Sequence, residues 1–286
     1  MFEDGSTFGK FIIDRRIGAG TTGTVYKAHT PDNPAPLAIK VLAPELAKDS
    51  KIVTMFDEEA KVGLSMKHPN VVSAVDVGRE HGRYFIVFEF VDGIPLAHLV
   101  KRGPLPEGQC LWILRQLAQA LRHLRQKKIV HQDIKPDNIL IESHGNAKLT
   151  DLGFARVAQG KMKWEGFAVG TPVYMSPEQA KGLRDVDGRA DIYSLGATIY
   201  HSSVGQAPFD GKTEQELLTK HINMKPEPAR NRNPKLNADF SAILMRMLEK
   251  DPGKRFQHPE ELLLSIRMLE ITAVPPFVAG TKPAAG

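Results

Sequence analysis

The chain has 286 residues, of which 42% are hydrophobic and 25% are charged. This composition is close to that of ordinary globular domains and excludes disorder and collagen-like repeats, while the length allows one large domain or two lobes. Lys and Arg number 38 against 33 Asp and Glu, but the excess is spread along the chain. It therefore fits phosphate-bearing ligands as well as it fits nucleic acid, and we expect no nucleic acid partner.

Cysteine usage and hydropathy exclude several further classes. Cys110 is the single cysteine, so an intramolecular disulfide and a multi-thiolate zinc site are excluded. No stretch approaches the roughly 18 consecutive apolar residues of a membrane span. The first residues also lack the basic and apolar regions of a signal peptide. We therefore expect a cytoplasmic protein with no membrane span in this chain.

The first ninety residues are rich in short β-type runs. Runs of β-branched and aromatic residues, bounded by Gly, Pro, Asp and Asn, predict strands at 11–13, 24–28, 37–42 and 84–91. Spaced apolar residues over about 51–66 predict one helix, which His68-Pro69-Asn70 ends. These elements predict a small strand-rich lobe at about 1–90.

The pattern changes after Asp92-Gly93. Apolar residues over 107–127 recur with the spacing of one helical face, and similar patterns predict helices at 193–200, 214–222, 240–248 and 260–269. The sequence therefore predicts an α+β fold, with a hinge at about 89–93 and a larger helical lobe at about 94–271. The Pro/Gly/Ala-rich residues 272–286 predict an unstructured tail beyond a domain of 1–271.

Three glycines follow the first predicted strand. Residues 17–25 read Ile-Gly-Ala-Gly-Thr-Thr-Gly-Thr-Val, with glycines between two predicted strands rather than between a strand and a helix. This arrangement argues against a dinucleotide-binding fold. A hairpin with small side chains can lie over a polyphosphate, because its backbone N–H groups approach the oxygens freely. The alternative is a flexible hairpin without a ligand.

Lys40 ends the apolar run at 37–42. A buried ammonium group is costly without a partner, so this lysine needs either a ligand phosphate or a carboxylate on the following helix. Glu58 and Glu59 both lie on that helix. Either glutamate could instead belong to a solvated helix face, where most glutamates lie.

Several further motifs follow in order. They are His-Gln-Asp-Ile-Lys-Pro-Asp-Asn at 131–138, Asp-Leu-Gly at 151–153, Ser-Pro-Glu at 176–178, Asp-Ile-Tyr-Ser-Leu-Gly at 191–196 and Lys-Arg-Phe at 254–256. With the glycine motif and Lys40, this ordered set resembles the protein kinase family over about 11–270. The resemblance implies a bilobal kinase-like fold with an antiparallel β lobe and a mainly helical lobe.

The resemblance also implies the catalytic residues. Lys40 would hold the phosphates of ATP and would itself be held by Glu59, with Glu58 as the competing choice. Asp133 would orient the substrate hydroxyl and accept its proton, and Lys135 would place positive charge near the γ-phosphoryl group. By themselves, Lys135 could be an exposed lysine, Asp151 a turn residue and Asn138 a local cap.

ATP and a divalent metal are the implied cofactors. Asn138 and Asp151 would be the ligands of Mg²⁺, with Mn²⁺ as an alternative ion. Phe88 would be the gatekeeper, Glu178 would pair with Arg255, and backbone groups of the hinge would contact the base. The implied ATP-binding residues are Ile17, Gly18, Ala19, Gly20, Thr21, Thr22, Gly23, Thr24, Val25, Ala38, Lys40, Glu89, Val91 and Leu140.

Two positions indicate the substrate class. Lys135 within Asp-x-Lys-Pro-x-Asn and Thr171 within Gly-Thr-Pro-x-Tyr resemble serine/threonine rather than tyrosine kinases. The compact sequence is most similar to bacterial Hanks-type kinases. The resemblance implies transfer of the γ-phosphoryl group of ATP to Ser and Thr hydroxyls of a protein substrate. The alternatives are a nucleotide-binding pseudokinase or scaffold, and a small-molecule kinase.

Two features depart from the family pattern. Gln132 replaces an arginine that normally binds a phosphate on the activation loop, and residues 154–169 contain no Ser, Thr or Tyr. We therefore hypothesise that loop phosphorylation is not the switch, and that Trp164, Phe167, a partner or a dimer orders a loop that could otherwise be simply mobile. Gly63 replaces a larger apolar residue, which predicts a loosely held helix whose Lys40–Glu59 pair needs nucleotide or a partner to close.

Overall fold

The computed structural model describes residues 2–20, 22–152, 156–157 and 171–270, with only the backbone described at 156–157 and 270. The chain divides into two compact units, residues 1–92 and 93–286. The division falls at the Asp92-Gly93 dipeptide where the sequence pattern changes. Thr21, Trp164, Phe167 and the tail at 272–286 lie outside the described residues, so the expectations for them stay expectations.

The first unit contains an antiparallel sheet of six strands with the order β1-β2-β3-β4-β6-β5 in the described chain. Its strands are β1 (Thr7–Phe8), β2 (Phe11–Ala19), β3 (Gly23–Thr30), β4 (Asn33–Leu42), β5 (Ala74–Glu80) and β6 (Arg83–Glu89). The predicted helix is α1 (Ser50–Ser65), which begins after the Asp49 side chain accepts a hydrogen bond from the Lys51 N–H. The predicted strands and helix of this unit are therefore present.

The two faces of this sheet differ because alternate residues of a strand point to opposite sides. Tyr26, Ile39 and Val87 belong to a buried apolar cluster that covers one face. Lys40 pairs in register with Val25 on β3 and with Ile86 on β6, so these three residues share the other face. Because Lys40 also contacts Glu59 of α1, this second face is the one that α1 covers in part.

Strand β4 begins earlier than the sequence predicts. Pro34 and Pro36 argue against a strand before residue 37, because proline cannot donate to the ladder. The structure nevertheless pairs Asn33 with Thr30 and Leu37 with Ala28, and the ladder is irregular between these pairs. The two prolines therefore fall in a stretch where ladder hydrogen bonds are interrupted.

The second unit is mainly helical. Its helices are α2 (Leu96–Val100), α3 (Glu107–Gln126), α4 (Pro177–Ala180), α5 (Gly188–Val204), α6 (Glu214–Asn223), α7 (Ala229–Arg232), α8 (Ala238–Met247) and α9 (Pro259–Glu270). Short strands β7 (Gly93–Pro95), β9 (Ile139–Glu142) and β10 (Ala147–Leu149) form one small sheet, and β8 (Ile129–Val130) pairs with β11 (Arg156–Val157). Each segment for which the sequence predicts a helix overlaps one of these helices.

Helix α5 is the centre of this unit. Its residues from Ala190 to Tyr200 are all buried, and it ends where Gly205 adopts the left-handed conformation with φ of 82°. Asp191 therefore places a carboxylate inside an apolar core. On neighbouring α3, burial raises the pKa of the Cys110 thiol, so the sulfur stays protonated. Within the described part of the chain, no helix is long and apolar enough to cross a membrane.

Candidate active site

Lys40 and Glu59 form a buried ion pair in the first unit. The Lys40 Nζ atom donates to Oε1 and Oε2 of Glu59 at 2.7 and 2.9 Å. The lysine side chain is 13% exposed and the glutamate side chain 3% exposed. Of the two glutamates that the sequence offers, Glu59 is thus the one that the structure pairs with Lys40.

Val25 and Ala38, two of the residues that the sequence assigns to ATP, lie on the same face of the sheet as Lys40. Ala38 pairs in register with Phe88, and Val25 pairs with Lys40, so these four side chains project from one side. Glu89 pairs in register with Leu37, so its side chain belongs to the opposite face, and its N–H donates to the Ser73 carbonyl at 3.0 Å. A hinge contact at Glu89 would therefore use its carbonyl oxygen rather than its N–H.

The glycine hairpin joins β2 to β3, and the physical reason for a glycine differs between Gly20 and Gly23. The Gly20 N–H donates to the Gly23 carbonyl at 2.9 Å and closes the turn. A Cβ atom at Gly23 would overlap the carbonyl oxygen of Val41, so packing within the sheet requires glycine there. A Cβ atom at Gly20 would meet no described atom within 4 Å. Internal packing does not explain Gly20, whereas close approach by a polyphosphate would.

Gly63 lies where helix α1 meets strand β5. A Cβ atom at Gly63 would be 2.8 Å from the Ala74 Cβ atom and 3.6 Å from a ring carbon of Phe88. The small residues at 63 and 74 thus allow close packing in a region that Phe88 fills. The sequence predicts a loosely held helix here, whereas the structure shows Lys40 and Glu59 already in contact. The exchange behaviour of α1 stays a prediction.

Asp133 is the centre of a polar cluster in the second unit. Its Oδ2 atom accepts from Lys135 Nζ at 2.7 Å and from Asn138 Nδ2 at 3.0 Å. Its Oδ1 atom accepts from the N–H and the hydroxyl of Thr171, both at 3.1 Å. Lys135 Nζ also donates to the Thr171 hydroxyl at 2.7 Å. The sequence uses Thr171 only as a marker of substrate class, and the structure adds this direct contact.

Asn138 and Asp151 are brought together by the hairpin of β9 and β10. The Thr150 N–H donates to the Asn138 carbonyl at 3.0 Å, and Asp151 follows with a left-handed φ of 62°, which is rare for a non-glycine residue. The Asn138 amide nitrogen donates to the backbone oxygen and to Oδ2 of Asp133. Both acceptors are oxygens, so the nitrogen must face them and the amide oxygen is the atom left for a ligand.

This donor set fits a magnesium ion that also binds phosphates. Carboxylate and amide oxygens are suitable ligands for Mg²⁺, which usually takes one or two protein ligands and completes its coordination with phosphates and water. Among the residues that the structure describes, no group of three or more His, Cys, Asp and Glu could hold a metal alone. The arrangement therefore suits a metal that arrives with a nucleotide better than a site built entirely from protein.

Asp191 fixes the backbone of the loop that carries Asp133. Its two oxygens accept from the N–H groups of His131 and Gln132, each at 2.8 Å. Burial raises the pKa of Asp191, while His131 and the two N–H groups act in the opposite direction. Sequence reasoning missed this role, although a carboxylate inside an otherwise apolar helix was the available signal.

Residues 176–179 are anchored at two points. Ser176 and Gln179 form a capping box at the start of α4, and Gln179 Nε2 also donates to the Gln132 carbonyl at 2.7 Å. Glu178 accepts from Nη1 and Nη2 of Arg255 at 2.6 and 2.7 Å, which is the pair expected from the sequence. Gln132 itself is buried and left-handed, with φ of 70°.

Comparison with known proteins gives one consistent family. A model described as "Protein kinase domain" matches residues 11–264. The serine/threonine-protein kinase PrkC of Bacillus subtilis is 35% identical over 261 residues, which are 91% of this chain and 40% of that protein. The serine/threonine-protein kinase pkn2 of Myxococcus xanthus is 36% identical over 263 residues, 89% of this chain and 32% of that protein. The chain thus spans two fifths or less of these relatives' length.

A solved structure gives the same result for the fold. The crystal structure of the Mycobacterium tuberculosis PknI kinase domain matches with a TM-score of 0.73 and 29% sequence identity, covering 94% of this chain and 99% of that chain. The α+β fold class predicted from the sequence is therefore confirmed. Because the family model covers most of the chain, and bacterial serine/threonine-protein kinases match it in sequence, the chain belongs to the protein kinase family.

Proposed function

We propose that this chain is a catalytic domain that transfers the γ-phosphoryl group of ATP to Ser and Thr hydroxyls of proteins. The observation that carries the proposal is the cluster around Asp133, in which Lys135, Asn138 and Thr171 all contact one buried carboxylate. Phosphoryl transfer needs positioning and charge neutralisation more than covalent chemistry, and this cluster supplies both.

Each residue of the cluster has a separate role in the proposal. The Asp133 carboxylate orients the acceptor hydroxyl and takes its proton, since hydrogen bonds from Asn138 and Thr171 fix its orientation. Lys135 supplies positive charge close to the transferred group. Asn138 and Asp151 hold magnesium through oxygen atoms. Magnesium, when bound, neutralises charge that develops on the phosphate oxygens.

In this proposal, the first unit supplies the groups that bind the phosphates of ATP. Glu59 holds the Lys40 ammonium group at a fixed point on the sheet face, from which it binds the α- and β-phosphates. The backbone of the hairpin at 18–23 covers the phosphates, and Val25 and Ala38 contact the base. These assignments rest on the motifs and on the shared sheet face.

Label transfer from γ-³²P-ATP tests the proposal. Wild-type protein with Mg²⁺ and a generic basic protein is expected to label serine and threonine and to leave tyrosine unlabelled. Asp151→Asn should lose this transfer, whereas Asp185→Asn, which changes an exposed aspartate, should keep it. Wild-type protein that binds ATP but transfers no phosphate would overturn the proposal and favour a pseudokinase or scaffold.

We also propose that activation-loop phosphorylation is not the switch of this kinase. Residues 154–169 offer no hydroxyl, and the two hydroxyls that follow them have partners, because Thr171 contacts Asp133 and the Tyr174 hydroxyl lies 2.8 Å from His201 Nδ1. A phosphate on Thr171 would also stand beside a carboxylate. Mass spectrometry of active protein is expected to find neither residue phosphorylated, and a phosphate on either that activity requires would contradict this.

The cellular setting in the proposal is the cytoplasm, where ATP and Mg²⁺ are available. The single cysteine, Cys110, is buried, which suits a reducing compartment. A protein with Ser or Thr acceptors is the substrate, and an activating partner or dimer is the expected source of regulation. Cell fractionation with an antibody against residues of this chain tests the location, and recovery only outside the cytoplasm would contradict it.

A further inference from the structure

A chain of buried hydrogen bonds ends at the carbonyl of Val173, two residues beyond Thr171. His221, on α6, lies with Nε2 at 3.0 Å from this carbonyl oxygen and with Nδ1 at 2.9 Å from the Tyr193 hydroxyl. Lys250 Nζ lies 3.2 Å from the same hydroxyl. His221 is fully buried, and Tyr193 lies in the core of α5.

The positions of the protons in this chain follow from its two ends. A carbonyl oxygen can only accept, so His221 Nε2 must carry the hydrogen that it donates to Val173. In a neutral imidazole Nδ1 is then an acceptor, so the Tyr193 hydroxyl must donate to it. Because the Tyr193 hydroxyl gives its hydrogen to His221, its oxygen accepts from Lys250, whose pKa burial lowers to about 7. Each residue therefore donates a hydrogen bond to the next, in the order Lys250, Tyr193, His221 and Val173.

Lys250 also fixes the end of the helix that carries His221. Its Nζ donates to the His221 carbonyl at 2.7 Å and lies 3.5 Å from the Lys220 carbonyl, and both oxygens belong to the last turn of α6. The ammonium group lies 4.3 Å from the centre of the Phe209 ring. A donor at a helix C-terminus satisfies carbonyls of the last turn, here chiefly that of His221, since the Lys220 carbonyl also accepts from the Met224 N–H at 2.9 Å. Lys250 thus contacts both the backbone carbonyl of His221 and Tyr193, which is the hydrogen-bond partner of the His221 ring.

This arrangement has a consequence for the proposed transfer reaction. Thr171 and Val173 belong to one short segment, which includes the 3₁₀ turn Pro172–Tyr174. Thr171 contacts Asp133, so the position of this segment sets the position of a direct partner of the proposed base. On the basis of the proposed function, we propose that His221 is a positioning residue that holds this segment in place for the acceptor substrate.

Two amide substitutions test the two ring nitrogens of His221 separately. A glutamine amide reaches the place of Nε2 and keeps a donor for Val173, whereas an asparagine amide reaches the place of Nδ1 and keeps an acceptor for Tyr193. We expect His221→Asn to lower kcat/KM for a peptide substrate about tenfold, because a buried carbonyl loses its donor. We expect His221→Gln to stay within about threefold of wild type, and both to keep the KM for ATP.

A second pair of variants tests the same chain with smaller changes. Tyr193→Phe removes the donor to His221, while Tyr200→Phe removes another hydroxyl of α5, one that donates to the Glu227 carbonyl at 2.9 Å. We expect Tyr193→Phe to lower peptide kcat/KM about threefold and Tyr200→Phe to leave it unchanged. Equal losses in His221→Asn and His221→Gln, or equal values for the two tyrosine variants, would overturn the inference. Wild-type protein without any transfer would instead overturn the proposed function.

Discussion

Among the described residues, each unit contains a buried ion pair between a glutamate and a cation, and the two pairs differ in how the cation is held. Arg255 uses all five N–H donors of its guanidinium group on protein oxygens: two on Glu178 and the others on the carbonyls of Arg189, Glu249 and Lys250. Its side chain is 0% exposed. This pair therefore belongs wholly to the architecture of the second unit.

The Lys40–Glu59 pair is of another kind. A lysine ammonium group is a point charge on a flexible stem, and it joins a strand to a helix across a face that also carries Val25 and Ala38. Its side chain keeps 13% of its exposure. The comparison teaches that two buried pairs of the same charge type can differ in the geometry of the cation and in the face of the fold that the cation occupies.

Breaking the arginine pair should have the largest effect on stability. Arg255→Met would leave Glu178 buried without its cation, and we expect a loss of about 3–5 kcal/mol in the free energy of unfolding. Arg125→Met is the matched control, because Arg125 and its partner Glu260 are both almost half exposed and lie 3.6 Å apart. The control should lose less than about 1 kcal/mol in urea unfolding. Equal losses would contradict the structural role of Arg255.

Breaking the lysine pair should affect catalysis more than stability. Lys40→Met removes the proposed phosphate contact, and we expect phosphate transfer to fall about 100-fold or more. The free energy of unfolding should fall by less than in Arg255→Met, since removing Arg255 also takes a donor from three backbone carbonyls. Lys27→Met serves as the control, because Lys27 lies on β3 and on the same face of the sheet as Lys40. This variant should retain transfer. A Lys40 variant with near wild-type rates would refute the assignment.

The glycines of the hairpin sharpen the same distinction within one loop. Gly23→Ala forces a methyl group onto the Val41 carbonyl, and we expect a loss of about 1–3 kcal/mol in unfolding free energy. Gly20→Ala meets no described neighbour, so its stability should change by less than about 0.5 kcal/mol while the KM for ATP rises. Thermal unfolding and ATP titration of both variants provide the check. A stable Gly23→Ala protein would show that the sheet tolerates the methyl group.

The smallest effect concerns the stability of the protein in mild acid. Burial, aided by Lys250, lowers the pKa of His221 to about 4 from its usual 6.5, although its bond to Val173 acts in the opposite direction. The unfolded chain thus binds a proton between these values that the folded chain excludes, so unfolding free energy falls as pH falls from 6.5. Among the described residues, Tyr193 and Lys250 are the polar side chains that contact His221, and burial lowers the pKa of Lys250 to about 7, so this lysine gains most of its proton above this pH range.

This contribution can be measured by difference. Between pH 6.5 and 5.5, wild type should lose stability relative to His221→Gln by at most about 1.4 kcal/mol. His81→Gln, at a largely exposed histidine, should follow the wild-type curve. Parallel curves for wild type and His221→Gln would show that His221 does not resist protonation.

The sequence predicted elements well where periodicity was strong and poorly where tertiary contacts decided the outcome. The helix at 107–127 and the β-rich runs follow from clear local patterns, and motif order points to Asp133, Asn138 and Asp151 as candidate site residues. The early start of β4 at Asn33 could not be predicted, because an irregular ladder accommodates prolines that the local pattern rejects. For the same reason, Gly63 predicts a loosely held helix as long as the residue packed against it is unknown.

The hydrogen bonds of Asp191 and His221 could not be predicted from the spacing of residues in the sequence. Asp191 lies 60 residues from His131 in the chain, and His221 lies 48 residues from Val173. Single side chains at such separations carry no periodic signal, and only folding brings them together. A charged residue inside an apolar helix is the one cue available, and it indicates a buried partner without naming it.

The most direct test of the account is the rate of phosphate transfer by Asp133→Asn beside wild type, with ATP affinity measured on the same samples. If Asp133 accepts the proton of the acceptor hydroxyl, transfer should fall by about 10²–10⁴-fold while ATP affinity and unfolding free energy stay close to wild type. Transfer within about tenfold of wild type, at equal ATP affinity, would contradict the assignment of Asp133 as the base.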